Sequence, residues 1–408
     1  MDLIHYITLF IILFTLYGIA VGSYPVFRMN RSTIALAGAT ILLFLGAINV
    51  EQAYSAIDLN TIVLLFAMMI INANLQLSGF FRIISSRIIM IAKTPKQLLI
   101  LITLSAGILS AFFLNDTIVI VFTPLVISLT RSLRRNSIPY LIVLATAANI
   151  GSSATIIGNP QNMIIGISSG ISFSKYAFFQ TIPAVFGLVV VVVIVALFYK
   201  KEFSSGSFEQ VSTEEVKTFK PLLIKSVAAT LLMITALFAG VTIPIAALGG
   251  AVILLITRRL KPERVFKEIN WSLLVFFAAL FIVTKSIDTS GFGIHLERTL
   301  EPYLTQSITS LALSSTVLSN IVSNVPAVLL LRPIIPKFIN ADQAWLVLGM
   351  ATTFAGNLTL IGSVANLIVA ESAKKQNIHL SFGEYLKAGL IITLITLLIG
   401  IAWFSIVF

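Results

Sequence analysis

Several residue types on which enzymes and small secreted domains depend are missing from this chain, or nearly so. It has no cysteine, which excludes disulfide frameworks, thiolate nucleophiles and iron–sulfur clusters. Its three histidines, His5, His295 and His379, stand far apart and fit no metal-ligand spacing. The patterns HExxH, GxSxG and GxxxxGKS/T are absent as well. We therefore predict that the chain is not an enzyme and holds no resident cofactor or metal, although a sodium ion or a proton could serve as a coupling ion.

Charged residues are scarce too. They make up 11% of the 408 residues, against 58% hydrophobic ones, and the mean hydropathy is +1.02. A water-soluble fold could not hide so much apolar surface, and apolar runs of about 17–25 residues are typical of membrane-spanning helices. No basic segment precedes the first run and no clean cleavage site follows it, which favours a first transmembrane helix over a signal peptide. Spans are predicted at 3–22, 33–48, 61–78, 138–168, 180–199, 221–240, 244–257, 271–287, 343–370 and 384–407.

The net charge of +11 is explained by the membrane, and no nucleic-acid partner is expected. Lys and Arg gather in alternate loops, beginning with Arg28 and Arg31 after the first span. These loops share the cytoplasmic side if the apolar stretches 98–130 and 303–334 are re-entrant hairpins. Two ordinary spans in each stretch would preserve the sides of the other loops equally well. The prediction places the chain in the inner (plasma) membrane with both termini in the periplasm.

The two halves of the sequence align over a long stretch. Residues 78–80 (SGF) match 290–292 (SGF), and further on 155–158 (TIIG) lie opposite 359–362 (TLIG). Each half has an odd number of spans, so the second half must be inverted, an architecture typical of secondary transporters. We predict an all-α membrane protein of two inverted repeats, with about ten transmembrane helices, two re-entrant hairpins and two broken helices. The predicted parts are a first repeat at 1–200, a cytoplasmic linker at 201–220 and a second repeat at 221–408.

Four polar segments interrupt the apolar pattern at membrane depth, where polar groups are costly and need a partner or a role. In the first repeat they are the hairpin tip 114–117 (LNDT) and a break within 138–168 at 149–162. In the second they are the tip 323–326 (SNVP) and a break within 343–370 at 355–366. A capped tight turn is the plain alternative at the first tip, and a proline kink used only for packing is the plain alternative at the first break.

The functional interpretation is that four half-helix N-termini converge, with an anion in the middle and cations beside it. Asp116 is predicted to cap the returning arm of its hairpin and to bind a coupling cation or proton, and Asn159-Pro160 is predicted to start a new half-helix. The predicted substrate-binding residues are Asn115, Thr117, Asn159, Asn162, Ser323, Asn324, Ser363 and Asn366. The predicted coupling-ion residues are Asp116, Asn115, Gly158, Thr155, Asn324, Thr359 and Gly362.

At these residues the chain resembles the ion transporter superfamily, which includes divalent-anion:sodium symporters, citrate transporters, arsenite permeases and sodium/proton antiporters. The tips at 115–117 and 323–325 correspond to the Ser-Asn-Thr tips of the symporters, and 158–162 is similar to the family's Gly-x-Pro-x-Asn segment. Asn115-Asp116, followed by Thr123-Pro124, is more similar to the arsenite-permease and antiporter branch. The resemblance implies a homodimer in which hairpins and broken helices move against a scaffold as an elevator.

Two transport functions follow, and the sequence leaves both open. One is a cation-coupled transporter of a small inorganic or organic anion. The other is a sodium/proton antiporter or an arsenite or metalloid efflux permease, which a single carboxylate such as Asp116 would suit. An intramembrane enzyme lacks a nucleophile–base pair, and a passive channel does not need inverted broken helices. Membrane lipid is a partner in every case.

Overall fold

The computed structural model describes residues 3–24, 28–204, 206, 208, 218–257 and 260–408, and in this part the protein is helical. The one exception among these residues is a short antiparallel pair of strands, β1 (Ser23–Tyr24) and β2 (Met29–Asn30), between the first two helices. Most of the predicted cytoplasmic linker at 201–220, and the basic residues Arg258 and Arg259, lie outside the described residues.

Ten helices form the first repeat, and each has a counterpart in the second. The first ten are α1 (Leu3–Val21), α2 (Arg31–Phe44), α3 (Val50–Ala56), α4 (Leu59–Ser78), α5 (Phe80–Ile91), α6 (Pro95–Phe112), α7 (Asn115–Ser132), α8 (Ser137–Ser152), α9 (Pro160–Ser169) and α10 (Phe173–Phe198). Their counterparts, in the same order, are α12 (Lys220–Phe238), α13 (Ile243–Leu255), α14 (Pro262–Lys267), α15 (Trp271–Thr289), α16 (Phe292–Leu304), α17 (Ile308–Val322), α18 (Asn324–Leu331), α19 (Ala341–Ala355), α20 (Val364–Lys375) and α21 (Phe382–Val407). The short α11 (Lys200–Phe203) and a 3-10 turn (Ile335–Lys337) complete the described helices.

The predicted spans, hairpins and broken helices are confirmed as helical segments. Seven of the described helices are long and apolar enough to cross a membrane. Each predicted hairpin is two helices joined by at most two residues, α6 with α7 and α17 with α18. Each broken helix is a pair separated by a short non-helical segment, α8 with α9 and α19 with α20.

Four short helices lie between the predicted spans and hairpins, where no helix is predicted. They are α3 and α5 and their counterparts α14 and α16. Apolar length alone misses them because they are short or carry a polar face. The α10 span also begins seven residues before the predicted 180, since Ser174, Lys175 and Gln180 interrupt the apolar run there.

Most of the helix packing falls within two bodies, which touch each other mainly where α1 packs on α17 and α4 packs on α9. The scaffold body consists of α1, α2, α4, α12, α13 and α15, in which α2 packs on α15 and α13 packs on α4. This exchange of counterparts is what two-fold-related repeats produce. The hairpin body consists of α6 to α10 and α17 to α21. In it α6 packs on α8, α17 on α19, α7 on α20 and α18 on α9.

The broken helices lie at the centre of the hairpin body. Almost every residue of α8 is buried, as is most of α19. Backbone groups freed by a helix break find no partner in lipid, so such breaks are tolerated only inside protein or beside a water-filled cavity. The backbones of α6 and α8 approach closely at Gly107 and Gly151, where neither residue has a side chain to separate the helices.

Candidate substrate and ion site

The two helix breaks have the same construction. Asn159 caps α9 by accepting a hydrogen bond from the backbone N–H of Asn162 at 2.8 Å, with Pro160 at the first helical position as predicted. Ser363 caps α20 by accepting from Ala365 N at 3.2 Å. The capped ends leave two positive helix termini pointing at the interior of the protein.

An asparagine side chain bridges each break with the same pair of hydrogen bonds. The amide nitrogen of Asn162 donates to the carbonyl oxygens of Ser152 and Thr155, both at 3.1 Å. The amide nitrogen of Asn366 donates to the carbonyls at the two equivalent positions, Gly356 O at 2.7 Å and Thr359 O at 3.0 Å. Both predicted substrate residues therefore hold freed carbonyls, and this repetition of individual hydrogen bonds is strong evidence for the internal repeat.

Each hairpin tip docks on the break of its own repeat. The backbone N–H of Asn115 donates to Gly158 O at 3.0 Å, and Thr155 donates to Ala111 O in the first arm. Asn324 faces Ser319 Oγ at 2.7 Å and Gly362 O at 3.1 Å with its amide nitrogen. The tips are thus fixed to glycine carbonyls that the sequence marked as coupling-ion positions.

One local prediction at the first tip is wrong. Asp116 was expected to cap α7, but α7 begins at Asn115, with Leu114 in the cap position and no side-chain cap. The side chain of Asn115 instead accepts a hydrogen bond from Asp116 N at 3.0 Å. Because its carboxylate caps no N–H group, Asp116 is left to face the cavity between the two bodies.

Asn149 joins the two repeats at the centre of the hairpin body. Its amide nitrogen donates to Asn357 Oδ1 and Asn366 Oδ1, each at 3.0 Å. Its oxygen accepts from Asn115 Nδ2 at 3.2 Å and from Ser363 Oγ at 3.0 Å. All four hydrogen bonds of the buried amide are made, so Asn149 couples one hairpin tip to the opposite break. It lies at the edge of the predicted break segment, but no local pattern identified it as the central residue.

A cavity of about 660 Å³ lies between the scaffold body and the hairpin body. Five of the predicted site residues line it: Asn115, Asp116, Ser323, Asn324 and Ser363. Thr117 is not among its lining residues, because its hydroxyl accepts a hydrogen bond from Asn72 in α4 at 3.2 Å. Asn159, Asn162, Asn366, Thr155, Thr359, Gly158 and Gly362 lie behind the lining, within the breaks.

The cavity also contains charged and polar groups that the sequence analysis did not assign to the site. Arg31 and Ser272 come from the starts of two scaffold helices, and Gln161 and Glu371 come from the half-helices α9 and α20. The side chain of Asn30 accepts a hydrogen bond from Thr33 N and caps α2. This N-cap residue type in the sequence indicates a helix that starts at Arg31, so Arg31 could have been placed in the helix instead of the loop. Within the described residues no group of three or more His, Asp or Glu could hold a metal ion.

Ser323 at the second tip has a strained backbone, with φ 79° and ψ 159°. This region is essentially restricted to glycine and costs other residues about 1–3 kcal/mol. Strain of this kind persists where the surroundings impose it, and here it occurs at a residue that lines the cavity.

Ser323→Gly is therefore expected to raise the apparent melting temperature, because glycine removes a strain of about 1 kcal/mol or more. The matched control is Asn377→Gly, since Asn377 has φ 59° but belongs to a residue type that tolerates this region. Thermal unfolding of both variants in detergent measures the difference. A Ser323→Gly protein that melts no higher than Asn377→Gly would show that the tip stores no strain.

This chain is similar to known proteins in both structure and sequence. Solved structures include the Alcanivorax borkumensis YdaH transporter, which has a TM-score of 0.62 with 15% identity and covers 99% of this chain and 97% of its own; this likeness shows the fold. The chain is 26% identical to the putative transporter arsB of Dictyostelium discoideum (91% of this chain, 87% of the relative). It is 29% identical to the silicon efflux transporter LSI3 of Oryza sativa subsp. japonica (93% of each).

The profile of one family matches residues 9–355, which is most of the chain and includes both hairpins and the first broken helix. The relatives are named as transporters, and the described fold is that of a multi-pass membrane permease rather than an enzyme. The chain belongs to the citrate transporter (CitMHS) family.

Proposed function

We propose that this protein is an ion-coupled secondary transporter that moves a small anion across the inner membrane by elevator-type alternating access. The observation that carries the proposal is the shared cavity, in which both hairpin tips and the starts of α9 and α20 face one volume. Helix N-termini, amides and hydroxyls around one volume favour a negatively charged ligand. The volume is also large enough for a small carboxylate or oxyanion.

The division into two bodies supports the elevator. The hairpins and broken helices interlock through Asn149 and pack as a unit, whereas α2 with α15 and α4 with α13 form the other unit. The cavity lies between the units, so sliding one past the other would carry the site from one face to the other. We further propose that the scaffold body forms a homodimer and that both termini are periplasmic.

Asp116 is the proposed coupling residue. It is a carboxylate at the tip of the moving hairpin, with Asn115 and the break at Gly158 next to it. A carboxylate there can bind sodium together with the freed carbonyl oxygens, or bind a proton. In either case the charge of the site changes with ion binding, and this links ion binding to the movement of the substrate.

Asp116→Asn is expected to uncouple transport while the protein still folds. Asparagine preserves the shape but cannot bind a proton, and typical coupling energies correspond to roughly 5–150-fold effects. Gradient-driven uptake into proteoliposomes, measured with sodium and pH gradients imposed separately, should fall by about this factor. Asp342→Asn is the control, because Asp342 forms only an exposed ion pair with Lys175 at 2.5 Å. Unchanged pH and sodium dependence in Asp116→Asn would refute the coupling role.

A second candidate function is export of an uncharged metalloid acid in exchange for protons. The names of two relatives, an arsB transporter and a silicon efflux transporter, favour it. Proteoliposomes loaded with a pH-sensitive dye separate the two functions. Anion symport predicts that citrate enters with inward cations, whereas metalloid exchange predicts proton movement when arsenite or silicic acid is added and no response to citrate.

A further inference from the structure

Arg31 is the one cation among the described residues that line the central cavity. It is the first residue of α2, and its position is set by a rigid first turn. Asn30 and Thr33 form a reciprocal capping box around it. Ser32 Oγ also donates to Ser272 O in α15 at 2.6 Å, which ties this turn to the neighbouring scaffold helix.

The guanidinium of Arg31 has one nitrogen without a hydrogen-bond partner in the described part of the chain, while the carboxylates of Asp116 and Glu371 attract it across the cavity. Its Nη2 is buried without a hydrogen bond, and no ion pair involves Arg31 or the two carboxylates of the cavity, Asp116 and Glu371. A buried donor without an acceptor is costly. The planar fork of arginine matches a carboxylate or another oxyanion, so an anion bound in the cavity would supply the missing acceptor.

The internal repeat shows that the positive charge of Arg31 has no counterpart in the second repeat. At the offset that pairs 78–80 with 290–292, Arg31 corresponds to Ile243, and each is the first residue of its helix. At the offset that pairs 155–158 with 359–362, Glu371 corresponds to Ile167. An alternate state that exposes the other face would present the site to an isoleucine where this state presents an arginine.

We infer that Arg31 binds the anionic group of the substrate in the state shown here and makes the transporter asymmetric. The inference rests on the proposed function and adds a residue and a direction to it. Anionic substrate is bound more tightly from the face on which Arg31 lies, because the opposite face offers the uncharged Ile243 in its place. Arg31 belongs to the scaffold body, so movement of the hairpin body separates the substrate from this charge.

The test compares Arg31→Gln and Arg31→Lys with Arg28→Gln, using citrate as the probe. Arg28 is exposed three residues away and does not line the cavity, so its variant removes the same charge from the same edge of the protein. Right-side-out and inside-out membrane vesicles report the KM for citrate exchange from each face. Arg31→Gln should raise KM by about 10–100-fold on one face only, as expected for a charge-assisted hydrogen bond. Arg31→Lys should recover part of the loss, and Arg28→Gln should match the wild type.

A second measurement keeps this inference separate from the proposed function. Citrate should raise the melting temperature of purified wild type and Arg28→Gln, and the rise should be lost in Arg31→Gln. Absence of coupled flux in the wild type refutes the proposed transport, whereas the thermal shift still reports on Arg31. Equal KM changes on both faces, no KM change, no stabilisation of the wild type by citrate, or equal stabilisation of wild type and Arg31→Gln would each overturn the assignment of Arg31.

Discussion

Gly151→Ala is expected to destabilise the protein by about 3 kcal/mol or more, the upper end of overpacking effects. A Cβ on Gly151 would lie 2.1 Å from Gly107 O and 2.4 Å from Gly107 Cα. Both atoms belong to backbone, so no side chain can rotate to make room. The helices α6 and α8 would have to separate. This would displace the first hairpin from the break that it docks on.

Thermal unfolding in detergent and the yield of monodisperse protein measure this effect. The control is Gly249→Ala in α13, where a Cβ would meet no atom within 4 Å. There alanine should be neutral or slightly stabilising, because glycine lowers helix stability by roughly 1 kcal/mol relative to alanine. If both variants melt at the wild-type temperature, the close contact between α6 and α8 is not a feature of the folded protein.

The contrast between these glycines shows which parts of the fold the sequence could predict. Apolar length located the spans, and polar interruptions such as 114–117 located the hairpin tips and breaks, since both are local patterns. The α6–α8 contact is not local. A glycine in a helical run looks the same whether it touches another backbone, as Gly151 does, or faces outward, as Gly249 does. The short amphipathic helices α5 and α16 were not predicted for a different reason: a polar face interrupts the apolar run that marks a span.

The residues of the candidate site also differ in whether a local sequence pattern could identify them. Asn115 was found because polar residues interrupt a long apolar run there, and Ser363 was found because a polar residue beside Gly362 marks a helix break in the sequence. Arg31 was assigned to a loop because positive charge near a span normally marks the cytoplasmic surface. Only the packing of α2 against α15 turns it toward the cavity. Asn149 and Asn357 are polar residues whose partners lie in the other repeat, so only the folded protein shows how they are used.

Asn149→Leu is expected to reduce transport by at least about 100-fold and to destabilise the protein by about 3 kcal/mol or more. Leucine has a similar size but makes none of the four hydrogen bonds of Asn149. The groups left behind on Asn115, Asn366 and Ser363 are buried, and each unsatisfied group costs about 1–3 kcal/mol. The hairpin tip would lose its hydrogen-bonded link to the opposite break, so the two repeats would no longer be joined at this point.

Thr146→Val provides the control one turn earlier on α8. Thr146 is equally buried, but its hydroxyl donates to Ile142 O within the same helix, at 2.8 Å, so its removal leaves no distant group unpaired. Thermal unfolding and proteoliposome flux should therefore separate the two variants clearly. If Asn149→Leu retains wild-type flux, the tips and breaks do not need to be joined, and the proposed single moving body would be replaced by a mechanism in which each hairpin moves alone.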